Sequence, residues 1–249
     1  MANRKIVAII PARYGSSRLP GKPLIEINGL PMILHVYNRA SRLHGIDEVA
    51  VATDHREILD TVSKAGGKAF MTDPNHPSGT DRIAEVASLM GLADSDIVIN
   101  IQGDQPFFKD EMVYAPLELL KSNSKFVMTT PACPMAVEMA TDPNRVKVVL
   151  DKNNCALYFS RSPIPYDRDN AFGQENMPYL RHLGLYVFRN GFLQKFVTLP
   201  PSRLEKIECL EQLRALENGY PVGVAVVSEA PLDVDTEEDL KKLQSDQSS

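Results

Sequence analysis

An α/β fold with a mostly parallel sheet is expected for this chain. Short apolar, β-branched segments alternate with helical patterns over the first half, and glycine or proline punctuates the junctions. Polar loops follow the apolar segments directly, and in such sheets ligands gather beyond the carboxyl ends of the strands.

Ile6 to Ile10 is apolar on both faces, as a buried parallel strand requires, and Pro11 ends its ladder by removing an amide donor. After a glycine-punctuated loop, Pro31 suits a first helical turn. Ile33, Leu34, Val36, Tyr37 and Leu43 give that helix an apolar side, and Gly45 is its stop. Val49 to Thr53 reads as a second strand, Arg56 to Ala65 as a helix stopped by Gly66 and Gly67, and Lys68 to Met71 as a third strand. A helix running to about Met90, with Ser78 or Thr80 as its cap, precedes the buried strand Ile97 to Ile101. Asp110 to Ser122 is helical, bent or interrupted by Pro116, and Phe126 to Thr130 is a further core strand.

The pattern then changes. Val146 to Leu150 and Ala156 to Ser160 are joined by the turn-like Asp151-Lys152-Asn153-Asn154, which makes a hairpin rather than a crossover. From Ser162 to Pro178 the chain is irregular and carries Pro163 and Pro165; such an insertion serves as a lid, an oligomer interface or an ordinary surface loop. Leu183 to Arg189 returns to the sheet. Ser202-Arg203-Leu204-Glu205 matches a capping box opening one helix, with Leu204, Ile207, Leu210, Leu213 and Leu216 as its core stripe. Glu205, Glu208 and Gln212 lie on another face, either solvated or bordering a pocket. Val222 to Val227 is the last strand, and Thr236 caps a helix from Glu237.

A chain of 249 residues can bury a substantial core as one α/β domain with a lobe. The formal net charge of −5 argues against a general nucleic-acid binder but leaves room for a local basic pocket. The start MANRK runs straight into the first strand and no apolar stretch is long enough to span a bilayer, so a cytoplasmic protein without membrane insertion is expected. Cys133, Cys155 and Cys209 are odd in number and far apart, which points to buried reduced thiols rather than a disulfide framework or a zinc site.

The loop after the first strand is the richest stretch. Arg13, Arg18 and Lys22 converge there, with Gly15 and Gly21 allowing tight backbone turns. Each cation–phosphate contact at about 4 Å gives roughly 4 kcal/mol of Coulomb attraction before desolvation, so several could hold a triphosphate. A solvated surface loop is the other reading. A Walker A loop is excluded: five residues, Ser16 to Pro20, separate Gly15 from Gly21, and Lys22 is followed by Pro23 instead of a hydroxyl residue. Ser78-Gly79-Thr80-Asp81-Arg82 can cap a helix or contact a base or ribose. In Gln102-Gly103-Asp104-Gln105-Pro106, Asp104 directly follows a buried strand, a suitable place for a carboxylate that binds Mg²⁺ with phosphate.

Taken together, IIPARYGSSRLPGKPL from Ile9, VATDH from Val51, SGTDR from Ser78, NIQGDQP from Asn100 and KVVLD from Lys147 resemble the 3-deoxy-manno-octulosonate cytidylyltransferases, the CMP-Kdo synthetase family. ALYFSRSPIPYDRD from Ala156, RHLGLYVF from Arg181, EQLRALE from Glu211 and VDT from Val234 extend the resemblance over nearly the whole chain. It implies a Rossmann-like nucleotide-diphospho-sugar transferase fold, a homodimer, and Mg²⁺-dependent transfer of CMP from CTP to 3-deoxy-manno-octulosonic acid (Kdo) or a close analogue for lipopolysaccharide. One domain would comprise a nucleotide-binding part over about residues 1–130, an insertion and dimerisation lobe over about 131–180, and a sugar-binding, metal-completing part over about 181–245.

Carried over by residue, the resemblance places Pro11, Ala12, Arg13, Arg18, Lys22, Ser78, Gly79, Arg82 and Asp104 at the nucleotide. Arg13, Lys22, Asp104 and Asp235 would carry the chemistry, Asp104 and Asp235 as Mg²⁺ ligands. Gln102, Arg161, His182, Tyr186, Glu208 and Gln212 would line the sugar-acid pocket. Family members usually show Gln-Gly-Asp-Glu-Pro where this chain has Gln105 in the fourth place, and with Arg203-Leu204-Glu205 this looks closer to the branch acting on 8-amino-Kdo. A cytidylyltransferase for another sugar acid, such as a sialic acid, is the nearest alternative. A glycosyltransferase is a second alternative, since Asp94-Ser95-Asp96 and Asp233-Val234-Asp235 both offer a D-x-D pattern, although the first of these pairs precedes a strand rather than following one, which disfavours its use. A non-catalytic nucleotide-binding module is the reading from another class.

Overall fold

A computed structural model describes residues 4–15, 21–169 and 179–231, arranged as two compact units. One unit holds the described residues up to Lys109 with Arg189–Gln194 and Pro231; the other holds Asp110–Phe188 and Lys195–Ala230. Arg18, Asp235, the 170–178 stretch and the helix expected from Glu237 lie outside the described residues.

In the first unit, β1 (Ile6–Ala12) is followed by a small antiparallel pair, β2 (Glu26–Ile27) and β3 (Leu30–Pro31), and by α1 (Met32–Ala40). β4 (Glu48–Thr53), α2 (Arg56–Lys64), β5 (Ala69–Met71), α3 (Gly79–Leu89) and β6 (Ile97–Asn100) continue the alternation. All pairings in the order β5-β4-β1-β6 are parallel, with Ile9 opposite Ala50 on one side and Asn100 on the other. Val7, Ala8, Ile9 and Ile10 are completely buried, which explains the continuous apolar run: a strand covered on both faces and both edges has no polar face. Pro11 does not end the strand as expected. The pairing with β4 continues through Pro11 and Ala12, and only the pairing with β6 stops at Ile9. Pro31 lies in β3 and caps α1 instead of entering its first turn, and α1 stops at Ala40, before Leu43.

The second unit comprises α4 (Asp110–Ser122), β7 (Met128–Pro134), β8 (Lys147–Leu150), β9 (Ala156–Ser160), β10 (Leu180–His182) and β11 (Tyr186–Arg189). It is completed by α5 (Asn190–Thr198), which begins in the first unit, α6 (Arg203–Glu208), α7 (Gln212–Glu217) and β12 (Val222–Val226). β7 pairs in parallel with β12 and antiparallel with β10 and β11. The predicted β8–β9 hairpin is present; Asp151 Oδ1 accepts from the amides of Asn153 at 2.7 Å and Cys155 at 2.9 Å, which closes its turn. Pro116 sits inside α4 without ending it. β10 and α5 were not anticipated. Cys209 is exposed and Cys155 half-buried, so only Cys133 meets the expectation of a buried thiol.

The single helix expected after Ser202 is two. The capping box is formed by Ser202 and Glu205, but Cys209 takes a left-handed conformation, φ 51° and ψ 51°, and breaks the helix there. The carbonyls of Glu208 and Cys209 instead accept Arg161 Nε at 2.6 Å and an Arg161 terminal nitrogen at 3.2 Å, so a side chain from the end of β9 takes the place of a continuing helical turn. Ile207 is consequently 65% exposed, while Leu210 and Leu213 remain in the core. Across the break, the buried Arg214 guanidinium meets both oxygens of Glu205, at 2.9 and 2.5 Å, and lies 4.7 Å above the Phe196 ring.

His182, at the end of β10, is likewise internal. The single Thr130 hydroxyl proton goes to the Leu185 carbonyl at 2.6 Å, so the 2.9 Å contact with His182 must be a donation from Nε2–H, which leaves Nδ1 as an acceptor. Burial, helped by the neighbouring Arg181 charge, lowers its pKa to about 3 and keeps the ring neutral.

Glu205→Ala would strand the Arg214 charge and remove a cap residue; a loss of about 3 kcal/mol in urea-unfolding stability is expected, whereas an unchanged midpoint would show the pair to be dispensable. The His182 shift has a definite sign. The unfolded histidine, with its ordinary pKa of 6.5, takes up a proton that the folded one refuses, so its stabilising neutrality is complete above that value. It is lost as pH falls from there toward about 3, with a slope of at most about 1.4 kcal/mol per pH unit. Urea titrations at several pH values below neutrality should give a shallower acid slope for His182→Gln than for the parent, and equal slopes would contradict the assignment.

Candidate active site

In the first unit the polar residues gather where the strands end. Ala12 closes β1 inside the core and Arg13 emerges into solvent. Gly103 passes so close that a Cβ on it would stand 2.7 Å from the Pro11 carbonyl oxygen, a separation backbone does not tolerate. Glycine there lets the segment after β6 cross the end of β1 and deliver Asp104 beside it. Lys22 arrives from the other side. It opens a single 3₁₀ turn, Lys22–Leu24, after Gly21, whose φ of 70° turns the chain back. Its Nζ lies 2.9 Å from Asp104 Oδ2, with side-chain exposures of 11% for Lys22 and 46% for Asp104. The cation expected for triphosphate and the carboxylate expected for metal are therefore neighbours.

α3 begins against the same place. Gly79 sits below the Pro11 ring, and Ser78 caps the helix by accepting from the Asp81 amide at 3.2 Å. Ser78 thus has the structural role weighed for it, at a helix start that packs beside Pro11 of β1. One turn later Arg82 is almost fully buried, with one terminal nitrogen 2.8 Å from Asp54 Oδ2 and the other bonded to Thr72 Oγ1. Its guanidinium ties together the chain ends that follow β4 and β5. Asp54 Oδ1 also accepts from the Tyr14 amide at 3.3 Å, so the same carboxylate steadies the start of the basic loop. Gln102 is half-buried, 3.5 Å from Asn100 Oδ1. Asp54, Thr72 and Tyr14 received no assigned role from the sequence, although the polar Thr53-Asp54 end of β4 was the available signal.

Of the residues expected at the sugar acid, Gln102 belongs to the first unit, and the other five fall in the second unit and form two clusters. Arg161 and Glu208 hold each other. Besides its bonds to the Glu208 and Cys209 carbonyls, the guanidinium donates to Pro143 O at 2.8 Å. The Glu208 carboxylate accepts from Ser160 Oγ at 2.7 Å and from the Arg161 amide at 2.9 Å. Beneath them the fully buried Lys147 donates to Asp142 O at 3.1 Å and to Arg161 O, and burial pulls its pKa below the usual amine value. Tyr186, Gln212 and His182 form the other cluster. Tyr186 OH donates to Gln212 Oε1 at 3.0 Å, and the His182 and Tyr186 ring centroids are 5.4 Å apart. Gln212 is 1% exposed, and its Nε2 has no hydrogen-bond partner among the described residues. An unmet buried donor costs about 1–3 kcal/mol, a cost that a ligand oxygen would relieve.

Among the described residues no group of three or more histidine, cysteine or acidic side chains could hold a metal by itself. Asp104 nevertheless suits a magnesium ion that takes most of its oxygens from phosphate and water and needs only one or two carboxylates. No helix among the described residues is long and apolar enough to cross a membrane.

A family model described as cytidylyltransferase matches residues 7–229. The chain is 50% identical over 240 residues to a 3-deoxy-manno-octulosonate cytidylyltransferase of Syntrophobacter fumaroxidans, covering 96% of this chain and 95% of that protein. It is 48% identical over 238 residues to an 8-amino-3,8-dideoxy-manno-octulosonate cytidylyltransferase of Shewanella pealeana, covering 95% of this chain and 96% of that one. Among solved structures, a CMP:2-keto-3-deoxy-manno-octonic acid synthetase complexed with CTP superposes with a TM-score of 0.91 at 42% identity, over 98% of both chains. Full-length similarity of this degree, on an α/β scaffold with these polar strand ends, places the chain in the cytidylyltransferase family, among the octulosonate cytidylyltransferases.

Proposed function

We propose that this chain transfers CMP from CTP to a 3-deoxy-octulosonic acid, Kdo or its 8-amino analogue, releasing pyrophosphate and supplying an activated sugar for lipopolysaccharide. The observation that carries the reading is the meeting of Lys22 and Asp104 at the end of β1, in a chain similar throughout to a synthetase complexed with CTP.

The sugar's anomeric hydroxyl attacks the α-phosphorus in line while pyrophosphate leaves, a reaction that asks the protein to position groups and neutralise charge. Arg13 and Lys22 stand where they can hold the triphosphate and take up the charge of the leaving group. The amides at Ser78 and Gly79 add the partial positive charge of a helix start. Asp104, with Asp235, would hold Mg²⁺. Bound there, the ion would neutralise phosphate charge and lower the pKa of the attacking hydroxyl. Gln212 Nε2 offers donors, and neutral His182 offers an acceptor at Nδ1, both fitted to sugar hydroxyls. Arg161 and Glu208 shape that side through each other and the chain around them. A homodimer and a cytoplasmic location belong to the same reading; Leu157, 63% exposed on the β9 strand, and Tyr166, 84% exposed, support an interface.

Pyrophosphate release from CTP and Mg²⁺ with Kdo, 8-amino-Kdo or a sialic acid tests the proposal and identifies the acid. Release with a sialic acid alone would overturn the octulosonate reading, and CTP binding without release from any acid would favour a non-catalytic module. Lys22→Ala is expected to lower turnover about 100-fold or more, and a variant with near-normal turnover would remove Lys22 from the mechanism. Asp235→Asn should shift the Mg²⁺ titration to higher concentration; an unaltered titration would take Asp235 out of the metal site.

A further inference from the structure

The residue heading α2 is a histidine that does not cap. His55 occupies the N-cap, a position where Ser, Thr, Asp or Asn would accept from a free amide, yet its side chain makes no cap hydrogen bond. Its Nδ1 is buried without a hydrogen-bond partner among the described residues. The ring lies flat against Tyr14 instead, with centroids 3.9 Å apart and planes inclined by 17°.

Tyr14 is the hub of the basic loop's two legs. Its amide is held by Asp54, its carbonyl accepts the Gly21 amide at 3.0 Å, and a Cβ on Gly21 would come within 3.4 Å of its ring. Arg13 precedes Tyr14 on one leg, and Lys22 follows Gly21 on the other. Tyr14 thus joins the legs that carry the two cations, through its backbone bond to Gly21 and the packing of its ring beside that glycine, and the face of the ring is covered by His55 at the head of α2.

We infer that the Tyr14–His55 stack is a positioning device for triphosphate recognition, with His55 acting through Tyr14 and touching no nucleotide itself. The inference rests on the CTP-using reading above and adds residues outside the groups that meet substrate. It requires only a flat ring at position 55, so neither the charge of His55 nor its nitrogens enter.

The test uses the full chain and two probes, inorganic tripolyphosphate binding by calorimetry and steady-state turnover of CTP. His55→Ala is expected to weaken tripolyphosphate binding threefold to tenfold, the range set by one aromatic pair, with the loss in kcat/KM falling mainly on KM for CTP. His55→Phe, which restores a flat ring, should recover both; Tyr14→Leu should reproduce the alanine defect and Tyr14→Phe should not. Wild-type tripolyphosphate affinity in His55→Ala, or a defect shared equally by His55→Phe, would overturn the inference. Should His55→Ala fail to fold, the Tyr14→Leu and Tyr14→Phe pair decides in the same way. If the parent chain binds tripolyphosphate in a ring-dependent manner but turns over with no acid, the positioning role stands and the cytidylyltransferase reading falls.

Discussion

The burial of β1 between two parallel neighbours is the constraint on which the first unit depends. With its core residues at zero exposure, a polar group has no place along the strand, and polarity is forced to its end. The parallel registers with β4 and β6 bring the ends of those strands to the same side. Asp54, Asp104, Lys22 and the start of α3 are gathered by that arrangement, and the absent side chain of Gly103 lets the last crossing come within reach.

Charge in this protein divides by exposure. Arg82, Arg214 and Lys147 are buried, and each is committed: Arg82 to Asp54 and Thr72, Arg214 to Glu205, Lys147 to two backbone carbonyls. A buried charge without such partners would cost more than the fold can spare. Arg13 is exposed and Asp104 half so, which leaves them able to exchange water for a ligand. Lys22 lies between these classes, a mostly covered stem whose ammonium meets a carboxylate at the solvent boundary. In the second unit the Tyr186, Gln212 and His182 cluster is instead neutral, built from hydrogen-bond donors and acceptors under near-complete burial.

Local chemistry made much of this legible. The parallel strands of the first unit, the Ser78 cap, the β8–β9 hairpin and the Ser202 capping box were readable because each is marked by a pattern within a few residues, whereas the short β2–β3 pair carries no such mark. The misreadings share a different cause. Pro11 stays in its strand because β4 pairs alongside it, and the helix after Ser202 stops at Cys209 with its last carbonyls taken up by Arg161, far away in sequence. Neither influence leaves a local trace in composition or periodicity.

For the site, the sequence by itself determined which groups were on offer: a basic loop after a buried strand, a carboxylate after glycine at another strand end, and a family resemblance along nearly the whole chain. Only the tertiary structure decided how they are used. It put Lys22 beside Asp104, paired Arg82 with Asp54, turned Arg161 toward backbone carbonyls, left Gln212 Nε2 without a partner among the described residues and laid His55 against Tyr14. The reason is physical: residue types set what a side chain can donate, accept or bury, while its partner is chosen by which distant segments pack beside it and by the cost of leaving a buried polar group unpaired.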